Sequence, residues 1–255
     1  MRPAGDGLLL AIDTATSVAV VALGDRAGRL LREARWVPGF RHGEELLARL
    51  DALLAGSSPP GSSPTGGPGR PSPVDPSRRP SPVTGIDAIV VGTGPGAFTG
   101  LRVGLATAKG LALALGCPVV GIPTGLALLE AAREAGAGSP AALLLPAGPN
   151  DRILVRLLDA TPSSGRITGV RLAPGDDPDL PVGSLIAVDL DGRAAASELE
   201  RGRRAQASLG PALLRLGADR LASSGPDDLA AIVPEYVTLP RGVERETGAV
   251  VVGPA

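Results

Sequence analysis

The residues best placed to do chemistry lie in a glycine-rich loop that follows a short apolar run. Gly92, Gly94, Gly96 and Gly100 punctuate this loop. A glycine loop between a strand and a helix can bind phosphate through backbone N–H groups and the helix dipole. However, no lysine follows the glycines as GxxxxGK[ST] requires, and no acidic residue ends a second strand as a dinucleotide site requires. The sequence excludes a Walker site and favours a structural loop over a dinucleotide site.

A second polar segment, residues 13–17 (DTATS), forms a predicted turn near the N-terminus. Asp13 could hold a metal-bound water there, and Thr14, Thr16 or Ser17 could meet a phosphate. The turn has no glycine to let a phosphate approach the backbone closely. We therefore favour a structural hairpin over a phosphate site.

The elements that position the glycine loop are a strand over residues 86–91 and a helix over residues 100–115. The strand is a β-branched apolar run, typical of a buried parallel strand. Thr99 is placed to cap the helix and Gly116 to end it. Two rows of small residues follow the helix at helical spacing: Gly100, Gly104 and Ala108, and Ala106, Gly110 and Ala114. Such rows allow close packing, either inside one domain or against a partner helix, and periodicity alone leaves both open.

The order of predicted elements describes an α/β protein made of two similar halves. Each half opens with a three-strand meander, as in the duplicated ribonuclease-H-like fold of actin, sugar kinases and Hsp70. We predict domains at 1–136 and 139–255, with a flexible Gly/Ser/Pro insertion at 56–84 in the first. The predicted strands are 8–12, 17–23, 28–37, 86–91, 119–122, 141–145, 153–158, 167–172 and 185–190, and the predicted helices are 42–55, 100–115, 123–135, 194–205 and 211–222.

The composition excludes several classes of function. A net charge of −1 provides no field that would draw the whole protein to nucleic acid or to an anionic membrane. His42 is the only histidine, so a metal site that needs two is excluded. Cys117, the only cysteine, cannot form an internal disulfide, which fits a reducing compartment. The apolar run at 8–12 is too short for a signal peptide, and we expect a cytoplasmic protein.

Three segments, LLLAIDTAT, HGEELLARLDALL and IDAIVVGTGPGAFTGLRVGLATAKGLALALGCPVVGIPT, resemble the TsaB (YeaZ) family, with GPGAFTGLR the most specific part. The resemblance implies a non-catalytic scaffold in the bacterial machinery that puts threonylcarbamoyl on the adenosine beside the anticodon of tRNAs reading A-starting codons. It implies binding to the catalytic paralogue TsaD and to the ATPase TsaE, with tRNA met only through the complex and no membrane contact. A homodimer in the absence of partners, and a nucleotide at a shared interface, stay open.

The resemblance also implies which residues meet TsaD, because in the family the helices after the meander and after the glycine loop form that contact. The implied interface is Leu46, Leu50, Leu53, Gly100, Leu101, Arg102, Gly104, Leu105 and Ala108. No catalytic, metal-binding or cofactor-binding residue is expected, since the helix that carries metal-binding histidines in TsaD has none here. The second half departs from the family, whose closing Pro-x-Tyr-x-Arg survives as Pro234 and Tyr236. An ATP-dependent kinase of the same fold is the alternative, and a peptidase is disfavoured by the missing histidines.

Overall fold

Over the residues that it describes, the computed structural model shows a mixed α/β chain with two five-stranded sheets and five helices. The predicted insertion at 56–84 lies outside the described residues, except for Gly56. The structure describes residues 7–38, 42–56, 85–136, 140, 142–147, 150–157, 167–178, 180–181, 183–236 and 250–252.

Sheet 1 is built by the first half of the chain. Its strands are β1 (Leu8–Asp13), β2 (Ala19–Asp25), β3 (Leu30–Trp36), β4 (Ile86–Gly92) and β5 (Val119–Ile122). They lie in the order β3-β2-β1-β4-β5, with β1, β2 and β3 antiparallel and β4 and β5 parallel to β1. The central strands are buried almost throughout, as suits apolar runs covered on both faces. All five strands were predicted from these runs.

The first three helices are α1 (His42–Leu54), α2 (Phe98–Leu115) and α3 (Thr124–Glu134). Of these, α1 and α2 cover one face of sheet 1. The predicted cap at Thr99 is wrong, because α2 begins at Phe98 after Ala97, with no side-chain bond at the cap. Gly116 ends α2 as predicted, in the left-handed conformation at φ 63°.

Sheet 2 is built by the second half of the chain, and its fifth strand lies at the opposite edge from the fifth strand of sheet 1. Its strands are β6 (Ala142–Pro146), β7 (Arg152–Leu157), β8 (Ile167–Leu172), β9 (Leu185–Ala187) and β10 (Val250–Val252), in the order β10-β8-β7-β6-β9. As in sheet 1, an antiparallel meander is followed by a parallel strand beside its first strand. The sequence did not predict β10, because a run of three valines shows neither the alternation of a half-buried strand nor the spacing of a helix. The described residues of 174–183 form no helix, so the described part of the chain shows no counterpart of α1 on this sheet.

Helices α3, α4 (Ala196–Ala207) and α5 (Leu209–Ser224) pack between the two sheets. Their largest core cluster takes in side chains from both sheets, for example Leu9 and Leu143. Every residue of α3 from Thr124 to Ala132 is buried. The halves therefore share a continuous apolar core, and their division into domains at 1–136 and 139–255 stays a prediction.

The shared core predicts a large cost for a cavity in α3. Leu128 is fully buried, and Leu128→Ala should lower the free energy of unfolding by about 2–5 kcal/mol. Leu113, which is 72% exposed on α2, gives a matched control, since Leu113→Ala should change it by less than about 0.5 kcal/mol. Urea unfolding of both variants measures the difference. Equal midpoints would contradict the central position of α3.

Candidate functional site

The buried carboxylate of Asp13, at the end of β1, connects three segments of the chain. Its Oδ1 accepts the N–H of Ala15 at 2.8 Å, and its Oδ2 accepts the hydroxyl of Thr124 at 2.6 Å. That hydroxyl in turn accepts the N–H of Gly94 at 3.1 Å. Burial raises the pKa of Asp13 to about 6, although the bonds from Thr124 and Ala15 lower it. Both carboxylate oxygens are thus used inside the chain, which supports the structural interpretation of the turn over a metal-bound water.

The same turn holds the glycine loop and the start of α2. The hydroxyl of Thr14 donates to the carbonyl of Gly100 at 2.6 Å, and the N–H of Ala97 donates to the carbonyl of Ala15 at 2.7 Å. A Cβ added to Gly104 would overlap the hydroxyl oxygen of Thr14. The row that contains Gly100 and Gly104 therefore packs inside the chain. The N–H of Ala97, which a phosphate on the loop could have used, is bonded to the turn.

Eight of the nine residues of the implied TsaD interface are buried within this chain. They are Leu46, Leu50 and Leu53 of α1 and Gly100, Leu101, Gly104, Leu105 and Ala108 of α2. Of the nine, only Arg102 is exposed. The buried side chains pack on sheet 1 or on the turn at 13–17, so they form no surface that a partner could contact. Helical periodicity identified an apolar face, but that face meets the core of the same chain.

The second small-residue row of α2 faces outward. Ala106, Gly110 and Ala114 are exposed, and so is Leu113, at 72%. A Cβ added to Gly110 would meet nothing within 4 Å. We call these four residues the outer face of α2. Among the described residues, α2 is the one helix that is long and apolar enough to cross a membrane, although its inner row is packed on the sheet.

A cluster of aromatic rings and one arginine lies at the first turns of α2. The guanidinium carbon of Arg102 is 3.8 Å from the ring centroid of Phe98. The Nε of Arg102 donates to the hydroxyl of Tyr236 at 2.8 Å, and the two rings are 4.9 Å apart. Tyr236 also forms an isolated β-bridge with Gly96. The surviving part of the closing motif, Pro234–Tyr236, is thus attached to the GPGAFTGLR loop.

Glu235 buries a carboxyl beside this cluster. Its Oε1 accepts the hydroxyl of Thr93 at 3.0 Å, and its N–H donates to the carbonyl of Thr93 at 2.7 Å. Its Oε2 is buried and has no hydrogen-bond partner among the described residues. Burial raises the pKa of Glu235 to about 7, while the bond from Thr93 lowers it. Sequence reasoning missed this residue, because its partner lies more than a hundred positions earlier in the chain.

The polar turn is also bonded to the second half of the chain. The N–H of Ser17 donates to Oδ2 of Asp189 at 2.7 Å, and the hydroxyl of Ser17 donates to Oδ1. Asp189 follows β9 and was not predicted as a site residue, since nothing in its local sequence marks it. Thus a carboxylate of the chain itself is bonded to Ser17, one of the turn residues that could have met a phosphate.

Each half of this mixed α/β chain has an antiparallel meander with a parallel strand beside its first strand, which is consistent with a fold of the actin and ribonuclease-H type. The comparisons confirm the resemblance to TsaB, also called YeaZ. The structure of YeaZ from Pseudomonas aeruginosa matches with a TM-score of 0.59, covering 90% of this chain and 99% of that chain at 24% identity. This match shows that the two share a fold.

Curated relatives match part of the chain in sequence. TsaB, the tRNA threonylcarbamoyladenosine biosynthesis protein of Escherichia coli, is 32% identical over 124 residues, which are 49% of this chain and 43% of that protein. An uncharacterized protein of Mycobacterium tuberculosis is 34% identical over 115 residues, 45% of this chain and 44% of its own length. The chain thus spans less than half the length of these relatives. The family model described as TsaD, tRNA N6-adenosine threonylcarbamoyltransferase, matches residues 82–163.

The two rows of α2 predict opposite effects for the same substitution. Gly104→Leu should destabilise the isolated chain by about 1–3 kcal/mol, because the new side chain would overlap Thr14. Gly110→Leu should stabilise it slightly, by about 0.5–1 kcal/mol, because leucine replaces glycine in open space within a helix. Thermal melts of the two variants measure this contrast. A normal melt for Gly104→Leu would contradict the inward packing of that row.

The carboxyl of Glu235 predicts a loss of stability as the pH rises. Because its pKa is raised on folding, its contribution is complete below the unfolded value of 4.5 and is lost as the pH passes about 7. Glu235→Gln removes this titration. The stability of wild type relative to the variant should therefore fall by up to about 3 kcal/mol between about pH 5 and pH 8. Urea unfolding across this range tests it, and a constant difference would show that Glu235 is not titrating there.

Proposed function

We propose that this chain acts in the formation of threonylcarbamoyladenosine in tRNA, as a non-catalytic subunit that binds and supports a TsaD-like catalytic partner. The name of the Escherichia coli relative ties that protein to this pathway. The observation that carries the proposal is the outer face of α2, which offers small and apolar residues to a second helix.

The outer face of α2 lowers the stability of the isolated chain, and no contact within the chain offsets this loss. A glycine in a helix interior costs about 0.5–1 kcal/mol relative to alanine. At Gly104 close packing on Thr14 offsets that cost, but Gly110 touches nothing within 4 Å. Leu113 beside it is 72% exposed. A partner helix that packed closely over Gly110 and covered Leu113 would offset both costs. α1, which contacts α2 and exposes 57% of Leu47, would extend the surface.

Three features support a non-catalytic role. Asp13 bonds both its oxygens inside the chain, and Ser17 is bonded to Asp189. The helix that carries metal-binding histidines in TsaD corresponds to α3, which has no histidine here and packs its leucine and alanine side chains into the core. Within the described residues, no three His, Cys, Asp or Glu groups lie together as a metal site would need.

The proposal includes the remaining members of the machinery. A TsaE-like ATPase would join the pair, and tRNA would be met only through the complex, in the cytoplasm. In the absence of TsaD the same outer face would allow a homodimer. The alternative, an ATP-dependent kinase of this fold, needs phosphate bound at the turn that Asp189 occupies. Calorimetry with ATP and magnesium on the isolated chain discriminates the two, because saturable binding would favour the kinase.

The outer face predicts the effect of Gly110→Leu on complex formation. The variant should bind TsaD from the same genome about tenfold to a hundredfold more weakly, because a leucine would hold the helices apart at a cost of about 1–3 kcal/mol. Titration of purified TsaD against each variant measures the affinity.

Val170→Ser provides the control, since Val170 is half exposed on β8 of sheet 2 and should leave binding unchanged. Melts of the isolated variants separate loss of fold from loss of binding. If Gly110→Leu binds TsaD with the wild-type affinity, the outer face of α2 is not part of the interface.

A further inference from the structure

The turn at 13–17 presents hydrogen-bond donors that converge on one carboxylate. The N–H and hydroxyl of Ser17 bind the two oxygens of Asp189. The side-chain amide of Gln206, on α4, donates to Oδ1 of Asp189 and to the hydroxyl of Thr16, each at 3.3 Å. Donors from both halves of the chain thus surround a single oxyanion. Backbone N–H, hydroxyl and amide groups are also those that bind an external phosphate or carboxylate.

The backbone holds Asp189 in this position. Its φ is 58°, and it is the one residue other than glycine with positive φ among those described. Its neighbours Val188 and Leu190 are 1% and 0% exposed, so both sides of the turn are anchored in the core. Aspartate and asparagine adopt the left-handed conformation more readily than most residues. The carboxylate is therefore directed at the turn by its own backbone.

A groove of about 300 Å³ opens beside this contact. Gln206, Arg35 and Arg203 are among the residues that line it. Each arginine also bonds to a carboxylate of the chain, Arg35 to Glu33 and Arg203 to Glu200. Gln206 therefore links the groove to the turn, because it lines the groove and donates to Thr16 and Asp189.

We propose that the turn is an oxyanion-binding site whose occupant in this chain is the carboxylate of Asp189. The site takes a small external oxyanion, such as phosphate or acetate, when that carboxylate is removed. In the native chain the same contact ties the second half to the first.

Asp189→Gly tests the proposal, because glycine adopts the same φ and the change removes only the carboxylate. Its melting temperature is followed while sodium phosphate or sodium acetate is added, with sodium chloride at equal ionic strength as the reference. Phosphate and acetate should each raise the melting temperature of Asp189→Gly by about 2–4 °C, and the rise should grow with the logarithm of their concentration. Wild type should respond to them only as it responds to chloride.

Two further variants make the test specific. Asp191→Ala removes an exposed carboxylate two residues further on and should behave as wild type. Adding Ser17→Ala to Asp189→Gly should weaken the response to phosphate, because one of the donors is lost. If Asp189→Gly does not fold, Asp189→Ala, which also empties the position, is titrated in the same way with the same expected shift. Responses that chloride reproduces, or that wild type shares, would overturn the proposal.

Discussion

The buried carboxylate of Asp13 is the constraint on which the glycine loop depends. It lies at the end of β1 and bonds to Thr124 at the start of α3, whose hydroxyl also receives the N–H of Gly94. A Cβ added to Gly92 would overlap this carboxylate. A buried carboxylate is costly unless its oxygens are bonded, so β1, the loop and α3 must keep this relative position. The chain requires glycine at position 92 because its backbone passes close to the buried carboxylate of Asp13.

The helix that follows the loop is shaped by this constraint. The hydroxyl of Thr14 reaches the carbonyl of Gly100, which brings the first turns of α2 so close to the turn that Gly104 has no room for a side chain. The inner row of α2 is thereby committed to the chain's own core. Only the outer face is left for other molecules, and the Arg102 cluster with Tyr236 lies at the N-terminal end of the same helix. One row of α2 is thus buried in the core, whereas the other row is exposed.

The two halves share an antiparallel meander with a parallel strand beside its first strand, but their fifth strands lie at opposite edges. In the first half the turn after β1 is polar and bonded on all sides, to the glycine loop through Ala15 and to the second half through Ser17. In the second half, one face of sheet 2 is covered by a smaller cluster that includes Leu180 and Leu199, with no counterpart of α1 among the described residues. Because α3, α4 and α5 fill the space between the sheets, the halves share a core.

The sequence by itself determined the elements, because periods of two and 3.6 and the glycine stops are local properties of the chain. It predicted β1 to β9, all five described helices and the end of α2 at Gly116. It placed the start of α2 at residue 100, whereas the helix begins at Phe98. Only the tertiary structure decided which row of α2 faces inward, since both rows have helical spacing and the choice depends on Thr14. The partners of Asp13, Glu235 and Asp189 were likewise decided by packing, because each pairs with residues far away in the chain. Local pattern specifies what an element is, whereas long-range contacts determine which of its faces is buried.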